Sequence, residues 1–386
     1  MLRKGLPAAI AGVALLGALA ALLLAGRLSQ SSGRPVGPAA AHCPQVSAGP
    51  PPARHGALVV GLNSLWNNDC NLAAVAAAGV TMERLELDWS AVQPTPGVWR
   101  FDEYDKEFAV AARHGITMLP LLMNVPAWAG HGWNVFPSRP AAYARFVARV
   151  VARYGPHGSF WTAHRSLAAY AIQTFELWNE PYYSNGNNGD YDPGRYARLV
   201  KAAASAGRQT DSDARFLLAA ENQAQHIGSS WVWWIDALYQ AVPDLNNYFD
   251  GVAVHPYGTD LTNLSFPTPG QAYNGYQQIR RVEAIHREFG KHAAGNKPVW
   301  ITEIGWPTCT SGSVRCTTPA GQAANLTTVF NYARTTWKNF VQAVFVYSYD
   351  DSYSDSSDPE HDYGLTYNDG TPKPALTVFQ AQAATR

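Results

Sequence analysis

The chain has 386 residues, and its 29 basic and 29 acidic side chains cancel, which excludes the electrostatic footprint of a nucleic-acid binder. Only 15% of residues are charged while 47% are hydrophobic and 13 are tryptophan, enough apolar material for one large core. No solenoid-type repeat is present.

Taken in order, the chain begins with Arg3 and Lys4, followed by an apolar run to Gly26 without a charge. A secretory signal core spans ~7–15 residues and this run reaches roughly 20, so residues 1–26 read as a signal peptide or a membrane anchor, the anchor being preferred. The alanine triplet Ala39-Ala40-Ala41 lies well past the run. Residues 27–56, rich in Ser, Gly, Pro and Ala, read as a flexible tether. The expectation is an extracytoplasmic domain, anchored at the cell surface or secreted.

From residue 57 onward short apolar runs alternate with helical ones. Strands are expected at Ala57–Leu62, Met82–Leu87, Thr117–Met123, Ala169–Leu177, Arg215–Ala220, Gly251–His255, Val299–Glu303 and Ala343–Ser348. Helices are expected at Leu72–Ala78, Phe101–Arg113, Ala141–Tyr154, Gly194–Gln209, Ser230–Ala241, Gln277–Phe289, Ala320–Lys338 and Pro374–Ala383. Eight such pairs predict an α/β fold with a single (β/α)8 TIM barrel over residues 57–386. Four cysteines complete the plan. Cys309 and Cys316 flank a Ser/Gly-rich loop and are expected to form a disulfide, leaving Cys43 and Cys70 as a second pair by exclusion. No CxxC or HxxxH spacing points to a metal, and no cofactor is expected.

A barrel of this kind places its chemistry at the carboxyl ends of strands. Those ends read Asn63, Asp88-Trp89, Asn124, Asn179-Glu180, Glu221-Asn222, His255-Pro256-Tyr257, Glu303 and Tyr347 to Asp351. Nearly all can hydrogen-bond a sugar. Pro181 cannot continue a β-ladder, so Glu180 falls at a mouth rather than in a core. Glu303 likewise ends a short apolar strand before Gly305 and Pro307. Two glutamates at the fourth and seventh strand ends are what acid/base and nucleophilic work on a glycosidic bond requires.

Trp178-Asn179-Glu180-Pro181 resembles the acid/base motif of the clan of retaining (β/α)8 glycoside hydrolases, and Thr302-Glu303-Ile304-Gly305-Trp306 is similar to its nucleophile motif. The segment Arg84 to Pro94, followed by Gly97 to Asp102, resembles the second strand and loop of the xylosidase/iduronidase family, family 39; the family 5 cellulases share the general plan. Strand two departs from that pattern in carrying Glu86 and Asp88. The resemblance implies a glycosidase acting on a β-linked polysaccharide or oligosaccharide through a glycosyl-enzyme, with Glu180 as acid/base and Glu303 as nucleophile. It further implies that Asn179 holds the sugar 2-hydroxyl, that Arg84 lies beneath Glu303, and that His255 and Tyr257 orient the two carboxylates.

Trp128, Trp306 and Tyr347 are the aromatic residues expected to contact sugar; Trp66, Trp89, Trp133, Tyr182 and Tyr183 also fall in mouth loops, whereas Trp231, Trp233 and Trp234 are expected to pack. Glu221 is a third strand-end carboxylate able to reach substrate. Asp350, Asp351, Asp355 and Asp358 are expected to form a solvated loop. A carbohydrate-binding barrel without turnover and a transglycosylase are the alternatives, and a monomer is expected.

Overall fold

The computed structural model describes residues 57–63, 69–130, 135–183, 191–227, 229–258, 279–313, 315–352 and 358–385. The expected anchor and tether, Cys43, Trp66, Trp133 and Asp355 therefore lie outside the described residues. No helix among the described residues is long and apolar enough to cross a membrane.

Eight parallel strands close into a barrel: β1 (Val59–Asn63), β2 (Met82–Asp88), β3 (Thr117–Met123), β4 (Thr174–Leu177), β5 (Arg215–Ala219), β8 (Gly251–Val254), β9 (Val299–Ile304) and β10 (Val341–Tyr347). β1 closes the ring by pairing with β10 on one side and β2 on the other. The remaining two, β6 (Ala224–Ile227) and β7 (Ser230–Trp233), form an antiparallel hairpin after β5. Helices such as Pro140–Tyr154 and Pro193–Thr210 start with proline at their first turn, where its missing N–H costs nothing. Their apolar stripes cover the outside of the barrel; Phe146, Val147, Val150 and Val151 are all fully buried.

Inward-pointing residues fill the barrel in layers. Leu119, Leu217, Ala253, Trp300, Ala343 and Phe345 form an apolar plug, with Val59 and Met82 packed against it. Gly61 belongs to this plug by its size alone, because a Cβ there would meet the Phe345 ring at 2.4 Å. One layer nearer the strands' carboxyl ends the interior turns polar, beginning with Arg84 and Glu176. The site stands on a packed floor.

Three expectations need correction. Ser230–Trp233 is a strand rather than the start of a helix; its alternating Trp231-Val232-Trp233 suits a pleated hairpin, and the helix begins only at Trp234. Residues Arg165–Tyr170 form a 3-10 turn, so β4 starts at Thr174, later than expected. The helix from Pro319 ends at Arg334, where the chain turns and Trp337 N–H donates to Tyr332 O at 2.8 Å. Trp234 packs at full burial as expected, while Trp231 is exposed on the hairpin.

Cys309 and Cys316 form the predicted disulfide. Cys70 is disulfide-bonded as well.

Candidate active site at the carboxyl end of the barrel

Beyond Leu177 the chain leaves β4 through two left-handed residues, Trp178 at φ 76° and Glu180 at φ 43°. Such conformations cost of order 1–3 kcal/mol each in non-glycine residues and persist only where surroundings over-determine them. Here Trp178 is wedged against Phe136 and Tyr143, and its backbone N–H is bound to Leu122 O. The outcome is that Glu180 stands on the rim with its side chain 26% exposed.

β9 reaches the same level by a bulge. Ile301 pairs with Val344 and Ile304 with Val346, so an extra residue of β9 is accommodated against β10. A bulge re-aims side chains. Thr302 and Glu303, neighbours in sequence, consequently both reach the barrel axis: Thr302 Oγ1 donates to Glu176 Oε1 at 3.2 Å and Glu303 meets Arg84.

Arg84 is the hub. Its Nε and NH2 group donate to Glu176 Oε2 and Oε1 at 2.6 and 3.1 Å, a bidentate fork. NH1 donates to Glu303 Oε1 at 2.5 Å and to Asn63 Oδ1 at 3.2 Å, and NH2 to Asn179 Oδ1 at 3.0 Å. Glu86 and Asp88, which follow Arg84 on the same strand, are engaged elsewhere: Asn124 Nδ2 donates to Glu86, and Asp88 caps the short helix Trp89–Val92.

His255 is the second hub. Nδ1 lies 3.0 Å from Glu180 Oε1 and 3.6 Å from Glu303 Oε2, while Nε2 lies 3.1 Å from Thr302 Oγ1. The sum of the two Nδ1 distances bounds the separation of those two carboxylate oxygens. That bound falls at the foot of the ~6.5–9.5 Å window of inverting pairs and contains the ~5–5.5 Å of retaining ones. Tyr257 OH donates to Glu303 Oε2 at 2.9 Å, so both oxygens of Glu303 are held from beside and below.

The electrostatics follow from this wiring. Burial opposes charge on His255, but the facing carboxylates Glu303, Glu176 and Glu180 outweigh it and hold its pKa up at about 9. The imidazole is an imidazolium at neutral pH. Burial likewise opposes charge on Glu176, yet the Arg84 guanidinium and His255 bring it down to about 2. Two buried cations thus face three carboxylates, only two of which, Glu180 and Glu303, reach towards solvent.

Arg84, Asn179, Glu180, His255, Tyr257 and Glu303, singled out from the sequence, are one connected cluster. Tyr347 lies beside it, its ring 6.5 Å from that of Tyr257. Trp128 is half-buried, edge-on to Trp89 at 5.6 Å, with its indole N–H donated to Gln93 O. Trp306 has no open face: it is 2% exposed and its N–H is committed to Gly258 O at 2.7 Å. Trp89 is core, stacked on Phe146. Glu221 does not face the cluster; it is buried against Arg281. Asp351 is no solvated loop residue but is buried in an ion pair with Lys373, and Asp358 caps a 3-10 turn.

Glu176 and Thr302 were assigned no role from the sequence, and Asn63, read as a strand end facing sugar, instead accepts from Arg84 and donates to Thr302 O. The signal for Glu176 was present: a carboxylate between Phe175 and Leu177, inside a strand, requires a cation across the barrel. Among the described residues, the His/Asp/Glu groupings close enough to share a metal ion are His157, Asp211, Asp213 and Asp236, Glu288, His292, neither of which includes a residue of this cluster.

No family model matches the sequence, and no curated protein does. Solved structures do match. The fold is shared with a family 39 glycoside hydrolase from Bacteroides cellulosilyticus at TM-score 0.64 and 20% identity, over 85% of this chain and 63% of that one. A β-xylosidase from Caulobacter crescentus matches at TM-score 0.59 and 18% identity, over 88% of this chain and 70% of that one. A family 39 enzyme from Xanthomonas axonopodis pv. citri matches at 0.59 and 17%, over 92% and 72%. The likeness at these identities is one of fold, and at that level the resemblance read from the glutamate motifs is met. The chain spans less than two thirds of the Bacteroides protein.

Proposed function

We propose that this protein is a retaining glycoside hydrolase that cleaves β-linked bonds of a polysaccharide or oligosaccharide. The observation that carries the proposal is the single His255 Nδ1 shared by Glu180 and Glu303, which keeps the two carboxyl groups within reach of one anomeric centre. Glu303, with Arg84 on one oxygen and Tyr257 on the other, is oriented to attack the anomeric carbon. Glu180 protonates the leaving oxygen, and a glycosyl-enzyme ester forms on Glu303. Glu180 then takes a proton from water, which releases the sugar with its configuration retained. Asn179, whose Oδ1 is fixed by Arg84, stands beside Glu180 and holds the sugar 2-hydroxyl. The named activity of the Caulobacter neighbour, a β-xylosidase, supports β-linkage. The Cys309–Cys316 disulfide and the uncharged run from Gly5 to Gly26 support export from the cytoplasm, anchored or released.

The test is Glu180→Ala with an activated aryl β-glycoside, then with added azide. Restored turnover yielding a β-configured glycosyl azide is expected. Unchanged activity in the variant without azide overturns the assignment.

A further inference from the structure

His255 and Tyr257 touch the two catalytic carboxylates from one three-residue turn. Tyr257 N–H donates to His255 O at 2.8 Å across Pro256, closing an inverse γ-type turn whose central position suits proline. Arg281 grips this turn from behind. Its NH2 group donates to His255 O and its NH1 group to Tyr257 O, each at 2.8 Å, and its Nε to Glu221 Oε2, also at 2.8 Å. Glu221 is anchored in turn by the Asn222 N–H at 2.8 Å. Both side chains are at most 2% exposed. Arg281 opens the helix Arg281–Lys291, the end at which the macrodipole disfavours a cation. Helix formation gives no reason for arginine there; the fork across two carbonyls does.

We propose that Arg281, held by Glu221, is a positioning residue that fixes the His255-Pro256-Tyr257 turn and, through it, the relative placement of Glu180 and Glu303. Its kinetic consequence rests on the glycosidase reading; its geometric one does not. The groups facing His255 are Glu176 and Glu180 from β4 and its loop, Thr302 and Glu303 from β9, and Arg84 of β2 through the carboxylates it shares. A turn released from Arg281 lets the imidazole drift from those carboxylates, which are what hold its proton.

The experiment compares the full-length wild type with the double variant Arg281→Met/Glu221→Gln, which removes both charges together and so leaves neither buried alone. The readouts are kcat and KM on an aryl β-glycoside, the melting temperature, and the NMR titration midpoint of the His255 ring. Expected are a melting temperature close to wild type, a kcat loss of roughly 10–100-fold with KM within about twofold, and a lowered His255 midpoint. A folded double variant with wild-type kcat and midpoint overturns the proposal. So does a kcat loss no larger than that of Val150→Ala, a remote core variant, at equal loss of melting temperature. Should the double variant not fold, Arg281→Lys carries the test: it keeps a charge beside Glu221 but cannot span both carbonyls. The same kcat loss and midpoint shift are then expected, and their absence overturns the proposal. If the wild type turns over no glycoside, the glycosidase reading fails and the midpoint alone decides the role of Arg281.

Discussion

Two buried ion-pair systems lie at the same end of this barrel and behave in opposite ways. On the axis, Arg84 and His255 face Glu176, Glu180 and Glu303; at the rim, Lys373 faces Asp351 at 2.7 Å and also donates to Thr308 Oγ1 at 2.8 Å. At the rim, burial outweighs the partner's charge on both sides, raising Asp351 and lowering Lys373, so each is pushed towards neutrality. On the axis burial loses: Glu176 is held down at about 2 and His255 up at about 9. The difference is connectivity. Glu176 takes hydrogen bonds from a bidentate guanidinium and from Thr302, whereas the ammonium of Lys373 is a single point charge. The rim pair is closed and ties residues 358–373 to the loop after β10. The axial system leaves two carboxylates open to a substrate. Burial of charge alone supports a catalytic reading of neither; the open edge is what supports it for the axial system.

The largest effect should come from breaking the open edge. Glu303→Ala removes the proposed nucleophile and is expected to cut kcat by at least about 10⁴-fold while leaving the melting temperature near wild type, as steady-state kinetics and calorimetry check. Azide is expected to rescue turnover in Glu180→Ala but to give the inverted α-azide in Glu303→Ala, which separates the two roles.

Next comes the rim. Lys373→Met strands Asp351 in the interior and is expected to destabilise the fold by ~3–5 kcal/mol in denaturant unfolding. Its kcat below the transition should stay close to wild type. A kcat loss as large as that of Glu303→Ala would show that the rim pair belongs to the site after all.

Glu176→Gln sharpens the comparison. It keeps the shape but unbalances Arg84, and a kcat loss of ~10²–10³-fold is expected, about what one preorganised electrostatic contact supplies.

The pH dependence of stability tests the axial system without substrate. The folded pKa of His255 is raised from 6.5 to about 9, so its contribution is fully present below pH 6.5 and is lost as pH rises through about 9. That of Glu176 is lowered from 4.5 to about 2, so its contribution is present above pH 4.5 and is lost as pH falls towards 2. Stability from this network should therefore be flat between pH 4.5 and 6.5, and His255→Asn should remove the loss on the alkaline side. The smallest effect is that of Cys309→Ser/Cys316→Ser, a loss of about 2 kcal/mol measurable by thermal unfolding, because the closed loop is short.

Most of the axial system was legible because its members stand at strand ends, where a polar residue after an apolar run has no structural excuse. Asn179, Glu180, His255, Tyr257 and Glu303 all obey that rule. Glu176 and Thr302 lie inside strands and become visible only when parity is followed across the barrel: Glu176 needs a cation two strands away on β2, and Thr302 depends on a bulge that local sequence does not announce. The contact of Arg84 with Glu303 was implied by the resemblance, but its bidentate partner Glu176 was not, since Glu86 and Asp88 are nearer in sequence and both are used otherwise. Arg281 was the least legible. It joins Glu221, 60 positions earlier, to a turn 24 positions earlier, and its burial emerges only from the closed fold. Trp306 shows the reverse error: an aromatic after a strand end suggests a platform, yet the closed fold buries it, with its indole N–H donated to Gly258 O and its carbonyl accepting from Gln322 Nε2.

Asn63 carries one more consequence. β1 and β9 are not neighbours, since β10 runs between them, yet Asn63 Nδ2 reaches the Thr302 carbonyl at 2.9 Å. That carbonyl belongs to the peptide unit joined directly to Glu303. The bond therefore works as a tie-rod across the barrel's lip, bridging β1 and β9 over the end of β10. Flexing of the lip is thus passed to the peptide joined to the carboxylate proposed to attack.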